Sequence, residues 1–145
     1  MKQVAGILII IAVILSGCTR NDGDIGVWFG TWHVEKITVN GQNEADYEGN
    51  VILKFQNSVM ESQSQYAHHD TDNCYAMWHQ EGMILRLELP EGADPGVQYG
   101  YVPELHLPWL PLIEMKILNL SGKSIELSYM SDNGIVYGYS LKKIY

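Results

Sequence analysis

The sequence predicts an all-β domain, an antiparallel up-and-down barrel of about eight strands, behind an N-terminal export leader. Apolar and polar residues alternate with a period of two, which places one face of each strand on a core and the other near water. After the leader, no stretch of ten or more residues shows a 3.6-residue apolar stripe, so little helix is expected. Short strands joined by hairpins are typical of sandwiches and barrels. The clearest alternating runs are residues 51–56, 83–89 and 125–129.

The first 17 residues have the three parts of a secretory signal. Lys2 precedes an aliphatic run over residues 4–15, and the small residues Ser16 and Gly17 follow it. The run is shorter than the roughly 20 apolar residues that cross a bilayer. We therefore expect residues 1–17 to be a signal peptide, residues 18–26 an acidic linker and residues 27–145 one domain.

Composition excludes several classes of protein. With 46% hydrophobic residues in 145, the chain is too apolar to be disordered and too short for two ordinary domains. Asp and Glu number 17 against 9 Lys and Arg, for a formal net charge of −8. Nucleic acid is not an expected partner, because a surface that binds it clusters Lys and Arg against phosphates.

The first strand of the domain changes phase. Trp32 and Val34 share one face, but Ile37 and Val39 continue on the other, so a bulge is expected near residues 35–36. The last strand lies within residues 135–144.

Turn-forming residues separate the later alternating runs at residues 80–82, 121–123 and 131–134. Asn133-Gly134 is expected to supply both positive-φ residues of a tight hairpin. Residues 90–111 contain all five prolines and form the longest irregular segment, with a short strand expected around residues 98–102.

Leu15-Ser16-Gly17-Cys18 resembles the lipobox of bacterial lipoproteins. The resemblance implies cleavage before Cys18 and attachment of diacylglycerol to its sulfur, usually with acylation of the new amino group. Two or three acyl chains anchor a protein stably, so the mature chain would be held to a membrane without spanning it. Thr19, rather than an acidic residue, follows the cysteine. In this respect the chain resembles lipoproteins of the outer membrane, which implies that location. The acidic stretch at residues 21–24 is either a surface-export signal or a flexible linker.

Gly30-Thr31-Trp32 at the start of the first strand, Val39-Asn40-Gly41 at its end, and the final hairpins resemble lipocalin-like domains of small Bacteroidetes lipoproteins. The resemblance covers most of residues 27–145. It implies that Gly30 and Trp32 form the barrel-floor motif, with the Trp32 ring packed under a basic side chain from near the last strand, here Lys142 or Lys143.

The alternation of apolar and polar residues predicts that eight residues line the inside of the barrel. They either contact a small hydrophobic ligand, such as a lipid, a sterol or a haem-like molecule, or form plain core. The candidates are Leu53, Phe55, Met77, Leu85, Leu87, Leu127, Tyr129 and Tyr137.

Metal binding and catalysis find little support. His68, His69, Cys74 and His79 are ligand types for zinc or copper, but their spacing matches no known metal motif, and a surface turn is the simpler interpretation. With Cys18 lipidated, Cys74 has no disulfide partner and is expected to be a small buried hydrophobe rather than a reactive thiol.

The sequence contains no recognisable nucleophile, zinc-protease or phosphate-loop motif. We expect neither an enzyme nor a cofactor.

Two functions from different classes fit the sequence. The first is a lipid-anchored envelope protein, in the outer membrane, whose barrel binds a small hydrophobic ligand. The second is a non-catalytic accessory subunit with a filled barrel, which docks another envelope protein through its outer face and an exposed Trp109. An interior cavity of about 300 Å³ or more would favour the binder, and a packed interior the accessory subunit.

Overall fold

A computed structural model describes residues 26–90 and 96–144, which form one closed antiparallel barrel. The signal peptide and nearly all of the linker expected from the sequence lie outside these residues. In the described part no helix is long and apolar enough to cross a membrane. The strands are β1 (Gly30–Val39), β2 (Gln42–Asn43), β3 (Val51–Gln56), β4 (Val59–Gln65), β5 (Thr71–Glu81), β6 (Ile84–Glu88), β7 (Leu112–Leu120), β8 (Ser124–Met130) and β9 (Val136–Lys143).

The predicted up-and-down barrel of about eight strands is confirmed. Every long strand pairs antiparallel with its neighbour in the chain, and β9 pairs back onto β1 from Trp32–Lys143 to Val39–Tyr137. The two-residue β2 adds a short hairpin to the end of β1. Helix in the described part is limited to two 3-10 turns, Ala67–His69 and Pro103–Leu105, as the sequence predicted.

The bulge in β1 is also confirmed. Its register against β9 shifts between Val34 and Lys36, and both Val34 and Ile37 are buried although three positions separate them. The Tyr47 hydroxyl donates to the Val34 carbonyl and accepts from the Val51 backbone N–H at 3.3 Å. Burial is the main cause that raises the pKa of Tyr47 to about 12, so the hydroxyl stays protonated and can donate at the bulge.

The two ends of the barrel differ. The floor end comprises residues 26–31, the turns between β3 and β4, β5 and β6, and β7 and β8, and the last residues of β9. The mouth end comprises the β1–β2 turn, residues 44–50, the β4–β5 turn, residues 96–111 and the β8–β9 turn. Connections at the floor are short, whereas those at the mouth are longer and less regular.

Aromatic rings close the floor. Trp32 is fully buried, and its indole N–H donates to the Trp28 carbonyl at 2.7 Å. Trp28, Phe55 and Trp78 form a cluster with ring centroids 5.0–5.7 Å apart. Lys143 places its amine 5.4 Å from the centre of the Trp32 ring. The resemblance to lipocalin-like domains led us to expect Lys142 or Lys143 over this ring, and the structure places Lys143 there.

Three local expectations need correction. The segment around residues 98–102 makes only one parallel bridge, between Tyr75 and Tyr99, and Pro103 begins a 3-10 turn directly after it. The β5–β6 turn occupies residues 82–83 rather than the expected residues 80–82, since β5 continues through Glu81. In the β8–β9 turn only Gly134 has a positive φ, whereas Asn40 and Gly41 both do in the β1–β2 hairpin.

We predict that Lys143→Met lowers the free energy of unfolding by about 0.5–1 kcal/mol, since it keeps the aliphatic stem but removes the cation from the Trp32 face. Urea denaturation followed by tryptophan fluorescence measures the change. Lys142→Met is the matched control, because the Lys142 amine is largely exposed and lies 3.8 Å from Glu35. An equal loss in both variants would contradict a specific role for Lys143 at the floor.

Candidate functional site

Most of the predicted lining residues do face the interior. Leu53, Phe55, Leu85, Leu87, Leu127 and Tyr129 are buried, and Tyr137 is partly buried against the same core. Whether any of them contacts a ligand stays a prediction.

Met77 is the exception, because it faces out of the barrel. Cys74 and Ala76 on β5 are buried, so the alternation of the strand turns Met77 to the outer face. Met77 pairs across the ladder with Glu88, while Trp78 pairs with the buried Leu87. Both faces of this segment are apolar in sequence, so hydrophobicity alone could not fix the phase. Trp78, rather than Met77, packs against the core.

The described residues fill the interior with their own side chains. Trp28 enters from the floor, while Val102 and Leu105 enter from the long loop at the mouth, and all three are buried. The Tyr139 hydroxyl, buried beneath the loop, donates to the Leu105 carbonyl. This packing favours core over ligand contact for the residues deep in the barrel. By the cavity criterion set from the sequence, a packed interior favours the accessory subunit over a ligand held inside the barrel, so a ligand site has to lie outside this core.

An open cleft of about 560 Å³ lies at the mouth end, between the long loop and the β8–β9 turn. On one side, His106, Tyr137 and Tyr129 form a row of nearly parallel rings, with interplanar angles of 14° and centroid spacings of 5.1 and 6.5 Å. Leu107 and Pro108 add apolar surface. The polar rim of the cleft consists of Ser131, Asp132 and Asn133.

His106 is held in place by its backbone and by a carboxylate. It follows the 3-10 turn Pro103–Leu105 in the left-handed conformation, with φ 55°, and its N–H donates to the Pro103 carbonyl. Its Nε2 lies 2.8 Å from Glu44 Oε1. The ring thus contacts Glu44 through its Nε2 and stacks on Tyr137 through its face.

A second carboxylate ties the loop to β4. Glu104 accepts hydrogen bonds from Ser64 Oγ at 2.5 Å and from the Tyr66 hydroxyl at 2.8 Å. Partial burial by itself would raise the pKa of Glu104. Hydrogen bonds from Ser64, Tyr66 and other donors outweigh burial and bring the pKa below its ordinary value. Ser62 Oγ accepts the Val102 backbone N–H at 3.2 Å.

Sequence reasoning missed these loop contacts. Ser62 and Ser64 are buried, although β4 reads as a polar segment without hydrophobic alternation after Met60. Their partners lie about 40 residues away along the chain. The signal in the sequence was the alternation of Met60, Ser62 and Ser64, which puts two serines on the inner face of the strand. Buried hydroxyls require hydrogen-bond partners, so these serines indicated that another segment contacts β4.

The Tyr101 hydroxyl is buried and meets no hydrogen-bond partner among the described residues. Burial raises its pKa well above the usual value, and electrostatic interaction with Tyr129 adds to that effect. A neutral donor therefore lies near the Tyr129 end of the ring row.

The structure does not bring the histidines and the cysteine together. His68 and His69 lie exposed in the turn between β4 and β5, Cys74 points into the core, and His79 lies on the outer face 3.8 Å from Glu88. In the described part of the chain, no group of three or more His, Cys, Asp or Glu residues is placed to hold a metal ion. The surface-turn interpretation of residues 68–69 and the buried position of Cys74 are confirmed.

Other depressions lie on the surface of the described residues, among them the two that follow. A groove of about 300 Å³ crosses the outer face of β6–β9 and is lined in part by Ile84, Lys116 and Met130. A shallow cleft of about 360 Å³ at the floor borders Phe29 and Trp78. Neither joins the ring row at the mouth.

Comparison with solved structures supports the fold. The chain is similar to a lipocalin-like protein from Bacteroides uniformis, with a TM-score of 0.62 and 19% identity over 82% of this chain and 100% of that one. It is also similar to an uncharacterized protein from Bacteroides eggerthii, with a TM-score of 0.63 and 14% identity over 81% of this chain and 99% of that one. No protein-family model and no curated protein matches the chain. The likeness establishes a lipocalin-like barrel and nothing about a ligand.

We predict that Glu104→Gln destabilises the protein by roughly 1–2 kcal/mol at neutral pH, because charge-assisted hydrogen bonds from Ser64 and Tyr66 are weakened. Since the folded-state pKa is lowered, the advantage of the wild type is complete above the ordinary value of 4.5 and is lost as the pH falls through the folded pKa. Melting temperatures across an acid titration measure the difference. Glu48→Gln, at an exposed position in the same end of the barrel, is the control. A difference between wild type and Glu104→Gln that stays constant with pH would contradict the assignment.

Proposed function

We propose that this chain is a lipid-anchored envelope protein whose barrel binds a small, flat, hydrophobic ligand at its mouth. The observation that carries the proposal is the row of parallel rings formed by His106, Tyr137 and Tyr129 along an open cleft of about 560 Å³. Small-molecule sites typically measure about 300–1,000 Å³ and combine apolar surface with a few polar groups. The cleft fits both criteria.

The chemistry of the cleft favours a planar ligand. A flat ring system can stack on the exposed faces or edges of the row, which is already assembled by the contact between His106 and Glu44. Polar groups at the edge of the ligand would reach Ser131 and Asn133 on the rim. Binding at the mouth needs no displacement of the packed core, in contrast to binding deep in the barrel.

A flat fluorescent probe, 1-aminoanthracene, tests this proposal by titration. We expect saturable binding, which Tyr137→Leu weakens roughly 2- to 10-fold, because it keeps the apolar volume but removes the stacking face. Tyr137→Phe is the matched control and should bind within about twofold of wild type, since it keeps the ring. No saturable binding, or equal binding by Tyr137→Leu and Tyr137→Phe, would count against a ring-stacking site.

A second candidate is an accessory subunit that docks another envelope protein through Trp109. This side chain is 72% exposed, although its indole N–H donates to the Tyr99 carbonyl at 3.2 Å and its ring packs against Gly100. Gly100 has a φ of 127° and lies about 3 Å from the ring at its missing Cβ, so the ring is held in a fixed position. Rigid exposed tryptophans are frequent anchors of protein interfaces. Loss of co-purification with an envelope protein in Trp109→Ala, with unchanged 1-aminoanthracene binding, would favour this candidate.

The lipid anchor rests on Leu15-Ser16-Gly17-Cys18, which supports cleavage before Cys18 and attachment of lipid to its sulfur. Location in the outer membrane, facing either the periplasm or the cell surface, and a role without catalysis are parts of the same proposal. We predict that Cys18→Ala abolishes palmitate labelling and partitioning into the detergent phase. Cys74→Ala is the control and should leave both unchanged, because Cys74 is buried in the barrel. Persistent labelling of Cys18→Ala would contradict the anchor.

A further inference from the structure

Charge is divided between the two ends of the barrel. Among the described floor residues, the basic side chains are Lys123, Lys142 and Lys143, and the acidic one is Glu81, which lies 3.1 Å from Arg86. The described residues of the mouth contain no Lys or Arg. Their acidic residues are Glu44, Asp46, Glu48, Asp70, Glu104 and Asp132. A protein of net charge −8 thus has one end with a local excess of positive charge.

Large apolar side chains are exposed at both ends of the barrel, Trp109 at the mouth among them, and those at the floor lie next to lysines. Met83 is 55% exposed, Leu118 64% and Ile144 44%. Backbone hydrogen bonds place them on one rim: the Met83 carbonyl accepts the Ile117 N–H, and the Thr31 carbonyl accepts the Ile144 N–H, both at 2.9 Å.

The lysines belong to that rim as well. The Lys143 N–H donates to the Lys123 carbonyl at 3.0 Å, which joins the β7–β8 turn to the end of β9. Lys123 is exposed, and Lys142 keeps 68% of its side chain accessible, although its amine also lies 3.8 Å from the Glu35 carboxylate on the barrel wall. Apolar side chains next to exposed lysines are the composition of a surface that rests on lipid headgroups.

The chain also reaches the barrel at this end. Gly26 precedes Trp28 at the floor, and only residues 19–25 separate it from Cys18. Eight peptide steps span at most about 26–29 Å, which is close to the length of a barrel strand of this size. A tether this short favours orientations in which the floor, rather than the mouth, is the end next to the anchor.

We propose that the floor end rests on the surface of an anionic phospholipid bilayer. Lys123 and Lys142 lie against lipid phosphates, the side chains of Met83, Leu118 and Ile144 lie among the headgroups, and the acidic mouth is held away from the membrane. This orientation rests on the proposed anchor at Cys18, which supplies the affinity. The floor contacts set only the direction, because the net negative charge of the whole protein opposes binding to anionic lipid.

The orientation leaves the cleft beside His106 open to the aqueous compartment. Repulsion between the acidic mouth and the anionic surface adds to the attraction at the floor, so both ends favour the same arrangement. The tether carries Arg20 against Asp22 and Asp24, a net charge of −1 that works against contact with anionic lipid and is smaller than the charge of the floor lysines.

Tryptophan quenching by lipids with nitroxide headgroups tests the orientation. All strands and the whole described core lie within residues 26–144, so the chain from Cys18 onward contains the complete barrel. We couple Cys18 to a maleimide lipid in phosphatidylcholine vesicles with or without phosphatidylglycerol. Cys74 should not react, since it is buried and burial raises the pKa of its thiol. Trp109 reports on the mouth, and Met83→Trp in a Trp109→Phe background reports on the floor, with Trp109→Phe as the baseline.

We expect strong quenching of the Met83→Trp signal, little quenching of Trp109, and a larger difference when phosphatidylglycerol is present. Lys123→Gln and Lys142→Gln should each lower the ratio of floor-down to other orientations about fivefold, as expected for one lysine at an anionic surface. Lys36→Gln removes the same charge from the exposed wall of the barrel and should change the ratio less than twofold.

Equal quenching at the two ends, or quenching that neither phosphatidylglycerol nor the floor lysines affect, would overturn the proposal. Because the tether is coupled chemically, the result does not depend on lipidation in cells. Failure of the natural anchor would appear as loss of palmitate labelling, and failure of the mouth site as loss of 1-aminoanthracene binding, so the three outcomes are separable.

Discussion

The backbone ladder between β1 and β9 is the constraint on which the rest of the structure depends. It joins the first and last long strands from Trp32–Lys143 to Val39–Tyr137 and leaves the eight long strands without a free edge. The bulge between Val34 and Lys36 lets β1 bend along this seam while both Val34 and Ile37 still face the core. The same ladder brings Lys143 over the Trp32 ring, so closure of the wall and closure of the floor are one arrangement.

Because the barrel is closed, every strand has an inner face toward the core and an outer face away from it, and the interior between the inner faces is narrow. An eight-stranded barrel is just wide enough for its side chains to fill it, and here Trp28 fills one end while Leu105 and Val102 fill the other. The polar interior of β4 does not break this rule, because Ser62 and Ser64 bind the loop that enters the mouth. Filling of the core leaves concave apolar surface at the rim, where His106, Tyr137 and Tyr129 meet.

The two ends of the barrel consequently have different chemistry. The floor has short turns, exposed apolar side chains and lysines next to the point where the chain enters. The mouth has long connections, carboxylates and the ring row. The proposed ligand site and the proposed membrane-facing surface lie at opposite ends and need not compete, since the barrel wall separates them.

The sequence by itself determined the strand pattern, the hairpin order and the bulge in β1, because each depends on a short-range pattern that a strand imposes on its neighbours. The basic residue over Trp32 was expected only from the resemblance to lipocalin-like domains. It could not decide the phase of β5, where Met77 and Trp78 are both apolar, or the burial of two serines in β4. Those outcomes, and the assembly of His106 with Tyr137, were decided by the tertiary structure. The path of residues 96–111 across the mouth brings together groups that lie dozens of residues apart. The local alternation of apolar and polar residues does not indicate that path.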